Sequence, residues 1–520
     1  MEFTGFDNNM AGNNKKIEFG DFQTPIELAR QICSLLIRYS IEPLSIVEPT
    51  CGRGNFVIAA LEYFPNVLKI LGIDINNEYT EFAQSSIQAS SYLCGTEKVN
   101  FNNDDFFSID WEKAFNSLPS PVLVIGNPPW VTNSGLGRIK GNNLPQKLNL
   151  QNHRGIEAIT GKSNFDISEW MLNRLLECIG HKQAALAMLC KTAVARKVLF
   201  AAWKRKQHLN LSEIYHIDTL KYFDANVDAC LLFVSTSLTD ENYDCQVYEN
   251  LNDNSPAFTF GYRQGHLVAN INSFEKWKHL EGKGRYRWRS GIKHDCAKVM
   301  ELYRENSRYR NGFNELVELE EEYLFPMLKS SNIANSYIES PSRWMLVPQR
   351  ISGENTDKIH KSAPKTWQYL ERYANLLDKR ASSVYNKHPR FSVFGIGEYS
   401  FARWKVVISG FYKKLFFKVV GPYEEKPVVL DDTCYFITCR TQQEACFIAE
   451  LLNSDIAKEF FSAFIFWDEK RPITLDKLKR LDLLKLACEL GLEDTLKGFL
   501  KQYPEQYDQS LLFSGIVSNT

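Results

Sequence analysis

Val47-Glu48-Pro49-Thr50-Cys51-Gly52-Arg53-Gly54-Asn55-Phe56 joins an apolar run, Leu44 to Val47, to a helical pattern from Phe56 to Phe64. A strand that ends in a Gly-rich turn and restarts as a helix is a building unit of an α/β sheet. Glycines let the backbone approach a ligand closely, and in such sheets ligands sit outside the carboxyl ends of the strands. The turn is not the GxGxxG dinucleotide form and holds no Walker lysine. Alone it is a weak signal, and an ordinary strand–helix turn fits it as well.

The same alternation continues outward. Thr24-Pro25 opens a helix through Leu36, with Pro at the favoured first-turn position. Leu68 to Ile73 reads as a second strand ending at Asp74, and Val99-Asn100-Phe101 as a third ending near Asp104 and Asp105. Val122 to Ile125 is the fourth. Gln183 to Leu189 and Cys230 to Val234 follow as later strands, with a helix over Asp166 to Ile179 before them. An acid closing the second strand, about twenty residues past the glycines, is placed to accept both hydroxyls of a ribose. Asp105 is placed to accept from an adenine amino group. The plain alternative for each acid is a helix N-cap or a solvated loop.

The fourth strand runs into Asn127-Pro128-Pro129-Trp130. Proline cannot donate to a strand ladder and biases its predecessor away from helix, so two prolines stiffen the exit. An amide side chain, a prolyl carbonyl and an aromatic ring are thereby held around one point. The two oxygens can accept both protons of a planar amine while the ring stacks on its face. A Pro-rich loop with one exposed Trp is the competing reading. Successive strand ends that are Gly-rich, acidic, acidic and Asn-Pro-Pro-Trp outline a nucleoside site beside an amine site.

In the order of these motifs the chain resembles the γ-class (TaqI-like) amino DNA methyltransferases. Thr24-Pro25, Glu48 to Phe56, Asp74, Asp105 and Asn127-Pro-Pro-Trp match the family's cofactor and catalytic motifs in turn. The family's usual catalytic form ends in Tyr, and Trp130 keeps the stacking face but loses the hydroxyl. Gly161 to Asp166 looks like the segment that follows, and Phe223 matches the aromatic that covers the other face of the extruded base. Tyr323 to Lys329 and Leu451-Leu452-Asn453-Ser454 resemble, more loosely, pieces of the target-recognition domain. The resemblance implies a Rossmann-like methyltransferase sheet with helices on both faces, plus a C-terminal α+β target-recognition domain. It implies S-adenosylmethionine as cofactor, held by Thr24, Glu48, Gly52, Gly54, Asp74 and Asp105. The acceptor is then the N6 amine of a flipped adenine in double-stranded DNA, with Asn127, Pro128, Trp130 and Phe223 catalytic and no metal. A cognate restriction endonuclease, acting separately, is the implied partner in a bacterial or archaeal cytoplasm.

Bulk properties bound these readings. At 520 residues the chain exceeds a single core, and its 44% hydrophobic and 24% charged content is that of a soluble globular protein without a membrane span. Its 12 cysteines show no CxxC pair and read as reduced thiols. The net charge of -1 is uninformative as a whole. Locally, Lys283, Arg285, Arg287, Arg289 and Lys293 form one basic zone. Lys379, Arg380, Lys387, Arg390, Arg403, Lys405, Lys413 and Lys414 form a second, of the kind that meets phosphate. The expected organisation is a methyltransferase domain over residues 1–245, a partly basic connector over 246–322 and a DNA target-recognition domain over 323–520. The segment Thr132 to Lys162 is expected to be a loop that orders on DNA. Three other readings stay open: methylation of cytosine N4, of a protein glutamine, or a non-catalytic DNA-binding subunit. A fused nuclease is a fourth, for which Glu424-Glu425-Lys426 and Asp468-Glu469-Lys470 are weak candidates.

Overall fold

The computed structural model describes residues 23–90, 94–130, 166–236, 241–306, 308–335 and 340–501. The segments Thr132 to Lys162 and Gly161 to Phe165 lie outside the described residues. The chain divides into two compact units, Met1–Ile271 and Asn272–Thr520.

The first unit is built on β1 (Ser45–Glu48), β2 (Lys69–Asp74), β3 (Val99–Asn103), β4 (Val122–Gly126) and β5 (Ala184–Lys191). It continues with β6 (Leu209–Ile217), β7 (Ala229–Thr236), β8 (Asp244–Tyr248), β9 (Phe258–Arg263) and β10 (His266–Val268). They form one sheet in the order β10-β9-β8-β6-β7-β5-β4-β1-β2-β3. β3, β2, β1, β4 and β5 run parallel, and β7 enters antiparallel between β5 and β6. Strand order reverses between β1 and β4, which is where an open α/β sheet leaves a crevice for a ligand.

The central strands β4, β5 and β7 are buried on both faces, so their sequences are nearly continuous apolar runs rather than alternations. Leu123 and Ile125 join a cluster with helices Ile26–Arg38 and Asn55–Tyr63. Their fully buried neighbours Val122 and Val124 point by alternation to the other face. Helix Ile26–Arg38 buries Leu28, Ala29, Ile32, Cys33, Leu35 and Leu36 along one stripe. Arg30 grips Glu62 of the next helix with two bonds of 2.7 Å. Pro25 proves to be the N-cap of the helix, one position before the first turn.

β6 escaped the sequence reading because Ser212, Glu213 and His216 interrupt its apolar pattern. The polarity is internally satisfied. Glu213 is buried and accepts from the hydroxyls of Tyr215 at 2.8 Å and Tyr248 at 3.3 Å, and Tyr39 bonds Tyr215 in turn.

The second unit is α+β. Its six-stranded sheet has the order β14-β13-β12-β16-β15-β19. The members are β12 (Glu301–Glu305), β13 (Arg308–Arg310), β14 (Leu316–Val317), β15 (Leu324–Leu328), β16 (Arg343–Leu346) and β19 (Val429–Leu430). A four-stranded sheet has the order β11-β20-β17-β18, from β11 (Arg289–Ser290), β17 (Trp404–Ser409), β18 (Lys418–Val420) and β20 (Cys434–Cys439). Among the described residues no helix is long and apolar enough to cross a membrane.

Half of the second basic zone is engaged within the fold. Arg380 donates to the carbonyls of Leu377, His294 and Ser392, and Arg390 pairs with Asp378 and Glu371. Arg403 pairs with Glu425. Lys405 is 1% exposed, and burial pushes its ammonium down to about 7. Lys413 and Lys414 stand exposed in the β17–β18 hairpin beside the exposed rings of Phe411, Tyr412 and Phe416.

Candidate active site at the carboxyl ends of the strands

Because β1 to β5 are parallel, Glu48, Asp74, Asp105, Asn127 and Lys191 all fall at one edge of the sheet. β7 runs the other way, with Ala229 opposite Lys191, so the loop Phe223 to Asp228 reaches the same edge.

The Gly-rich turn is folded onto Asp74. Gly52 takes φ +50° and donates its N–H to Asp74 Oδ2 at 2.8 Å, while Asn76 N donates to Oδ1 at 2.8 Å. Cys51 N reaches the Ile73 carbonyl at 2.7 Å. Gly54, φ +80°, is the N-cap of helix Asn55–Tyr63, and a methyl group there would meet Ala83 Cβ at 3.0 Å. Thr24 is buried, and its carbonyl accepts from Asn55 Nδ2 at 2.7 Å. Asp105 caps the short 3-10 helix Phe106–Ser108, accepting from Phe107 N at 3.0 Å. The capping alternative therefore describes Asp105, with one of its two oxygens engaged.

Glu48 closes β1 at 2% exposure, and its Oε2 has no hydrogen-bond partner. Burial first, and then the Asp74 carboxylate, push its carboxyl well above the usual range. Two acids and a glycine cradle fit a ligand that is a nucleoside carrying positive charge. Such a ligand would supply Glu48 with the counter-charge its setting lacks.

Beside this cradle, Asn127 is half-buried, Pro128 is buried, and Trp130 is 7% exposed within the core cluster. Thr50 Oγ1 donates to the Asn127 carbonyl at 3.3 Å, tying the Gly-rich turn to the diproline turn. The rings of Trp130 and Phe223 meet edge to face with centroids 5.3 Å apart. Stacking a base between two rings needs roughly 7 Å, twice the closest carbon contact. The rings must therefore part before a base can lie between them. Sequence reasoning missed Thr50, Gln23, whose Oε1 accepts from Arg53 N at 3.1 Å, and Lys191. The rule that strand carboxyl ends line the site would have found Lys191.

A mixed sheet whose parallel part reverses strand order beside a glycine turn, two acids and an Asn-Pro-Pro-Trp exit defines a Rossmann-like methyltransferase. No family model matches the chain. It is 48% identical over 473 residues to the type II methyltransferase M.NspV of Nostoc sp., covering 91% of this chain and 98% of that one. To M.VspI of Vibrio sp. it is 27% identical over 184 residues, covering 35% and 42%. Among solved structures, the type IIL restriction-modification enzyme MmeI in complex with DNA shares the fold at TM-score 0.53 and 13% identity. That likeness covers 97% of this chain and 72% of MmeI. The chain belongs to the type II methyltransferases, the S-adenosylmethionine-dependent DNA-modifying enzymes of restriction-modification systems.

Proposed function

We propose that this chain methylates the exocyclic N6 of an adenine swung out of duplex DNA, at the strand end formed by Asn127 and Pro128. The observation that carries this reading is the position of the diproline turn. It lies across the strand reversal from Glu48 and is tied to the Gly-rich turn through Thr50. S-adenosylmethionine, when bound by Thr24, Glu48, Gly52, Gly54, Asp74 and Asp105, supplies a methyl group on a positively charged sulfur. The amine is a poor nucleophile because its lone pair is delocalised into the ring. Accepting its two protons on the Asn127 carboxamide and the Pro128 carbonyl favours a tetrahedral nitrogen with a free lone pair. As the N–C bond forms and the S–C bond breaks, the amine sheds one proton along one of these hydrogen bonds to solvent. Positioning supplies most of the acceleration. Trp130 and Phe223 hold the extruded base.

Catalysis within residues 1–245 and target reading within 323–520 belong to the same proposal, as does a separate endonuclease that the methylated site resists. Nucleoside analysis of DNA from cells expressing the chain tests the acceptor. N6-methyladenine is expected, whereas N4-methylcytosine would reassign the base while leaving the amine chemistry in place. Label from the cofactor appearing only in protein would refute the reading.

A further inference from the structure

The diproline turn has few backbone handles. Pro128 and Pro129 carry no N–H, so this part of the turn is anchored through its carbonyls. The proposed reaction reserves the Pro128 carbonyl for the amine. Thr50 holds the Asn127 carbonyl at one end. At the other end Lys191 Nζ donates to the Trp130 carbonyl at 3.1 Å.

Lys191 is itself held. It ends β5 in register with Ala229 of β7, and it is the N-cap residue of helix Thr192–Lys204. Its ammonium pairs with Asp166 Oδ2 at 2.6 Å, and that carboxylate is almost fully buried. The other carboxylate oxygen, Oδ1, caps helix Ile167–Ile179 by accepting from Ser168 N at 3.1 Å and Ser168 Oγ at 2.6 Å. One cation thus joins the diproline turn after β4, the end of β5 and the start of a helix. The short charge-assisted bond to Asp166 holds the ammonium in place within reach of the Trp130 carbonyl.

We infer that Lys191 is a positioning residue for methyl transfer, setting through the Trp130 carbonyl where the Asn127–Pro128 acceptors stand. This rests on the reading of Asn127 as an acceptor of the amine. A displacement of about 1 Å in such a group costs on the order of 100-fold in rate.

Single-turnover transfer from labelled S-adenosylmethionine to unmethylated plasmid DNA tests it, together with S-adenosylhomocysteine affinity and thermal unfolding. Lys191→Met is expected to slow transfer about 10- to 100-fold, with S-adenosylhomocysteine affinity within about threefold of the wild type. Lys191→Met with Asp166→Asn removes both charges while leaving Oδ1 able to cap the helix. It should fold as well as the wild type and remain slow. A Lys191→Met rate within about threefold of the wild type, or recovery of the rate in the double variant, would overturn the inference. Failure of both variants to fold would also overturn it, since the pair would then be a requirement of the fold. Asn127→Ala in the same assay separates the premise from the inference. An active Asn127→Ala sinks the acceptor reading whatever Lys191 does.

Discussion

Gly52→Ala probes the coupling between the glycine turn and Asp74. Gly52 sits at φ +50°, where a residue with a Cβ costs about 1–2 kcal/mol. The new methyl would also stand 2.6 Å from Gln23 Oε1, the acceptor for Arg53 N. That side chain would swing away, forfeiting a bond worth about 1 kcal/mol. Together the cost is about 2–3 kcal/mol, equivalent to a fall in Tm of about 5–10 °C for a unit of this size. The backbone can escape the strain only by rotating the Gly52 peptide, which withdraws its N–H from Asp74 Oδ2. Affinity for S-adenosylhomocysteine, measured by titration calorimetry, should then fall at least tenfold, a loss of about 1.4 kcal/mol. Gly491→Ala is the matched control: φ is +71° and the added methyl meets nothing within 4 Å. It should lower Tm modestly and leave cofactor affinity unchanged. A Gly52→Ala protein that binds S-adenosylhomocysteine like the wild type would refute the coupling of turn to acid.

Three further outcomes follow from the same geometry. Glu48 has its carboxyl raised by burial and by Asp74, so its contribution to stability is fully present below its ordinary value near 4.5 and is lost as pH rises. Glu48→Gln should flatten that part of the pH–Tm profile and weaken cofactor binding; an unchanged profile contradicts the assignment. Phe223→Ala removes both the edge-to-face contact with Trp130 and one stacking face. A base–aromatic stack is worth about 1–3 kcal/mol, so single-turnover transfer should drop on the order of 10- to 100-fold with cofactor affinity intact. Lys413→Glu with Lys414→Glu should weaken DNA binding and flatten its dependence on log salt by about two units or more, with transfer rate at saturating DNA preserved. An unaltered salt slope would place the phosphate contacts elsewhere.

Where burial made the residues uniformly apolar, the sequence was readable. β1, β2, β4, β5 and β7 fall within one or two residues of their expected bounds, and β4, β5 and β7, covered on both faces, carry almost no polar interruption. β6 was unreadable for the opposite reason: Glu213 looks like a surface residue until Tyr215 and Tyr248 are seen to satisfy it. The apolar pattern from Gln443 to Ala463 reads from sequence as one helix but folds as two, Gln442–Asn453 and Asp455–Ser462, because Ser454 caps the second by accepting from Ala457 N. Asn453 holds Phe417 by both its backbone groups. Lys414 to Val420 reads from sequence as one strand, but only Lys418–Val420 forms it, since the residues before it make the hairpin turn. Charge was the least legible property, as the fates of Arg380, Arg390, Arg403 and Lys405 show. Most partners of those cations come from neighbouring elements 12 to 23 residues along the chain, and one from 86, beyond the reach of any motif that would distinguish a structural arginine from a phosphate-binding one. At the site, residue types and strand ends were legible, while the closed contact between Trp130 and Phe223 joins a turn and a short helix end that sequence spacing cannot relate.

In the proposed reaction the Asn127 carboxamide oxygen accepts a hydrogen bond from the target amine. Single-turnover methyl transfer to unmethylated duplex DNA, with the variant saturated in S-adenosylmethionine, reads it most directly. Asn127→Ala should transfer about 100- to 1,000-fold more slowly than the wild type, the usual effect of removing one hydrogen bond formed in the transition state. Its affinity for S-adenosylhomocysteine should be unchanged. Transfer at the wild-type rate by a folded, cofactor-binding Asn127→Ala protein would contradict the account.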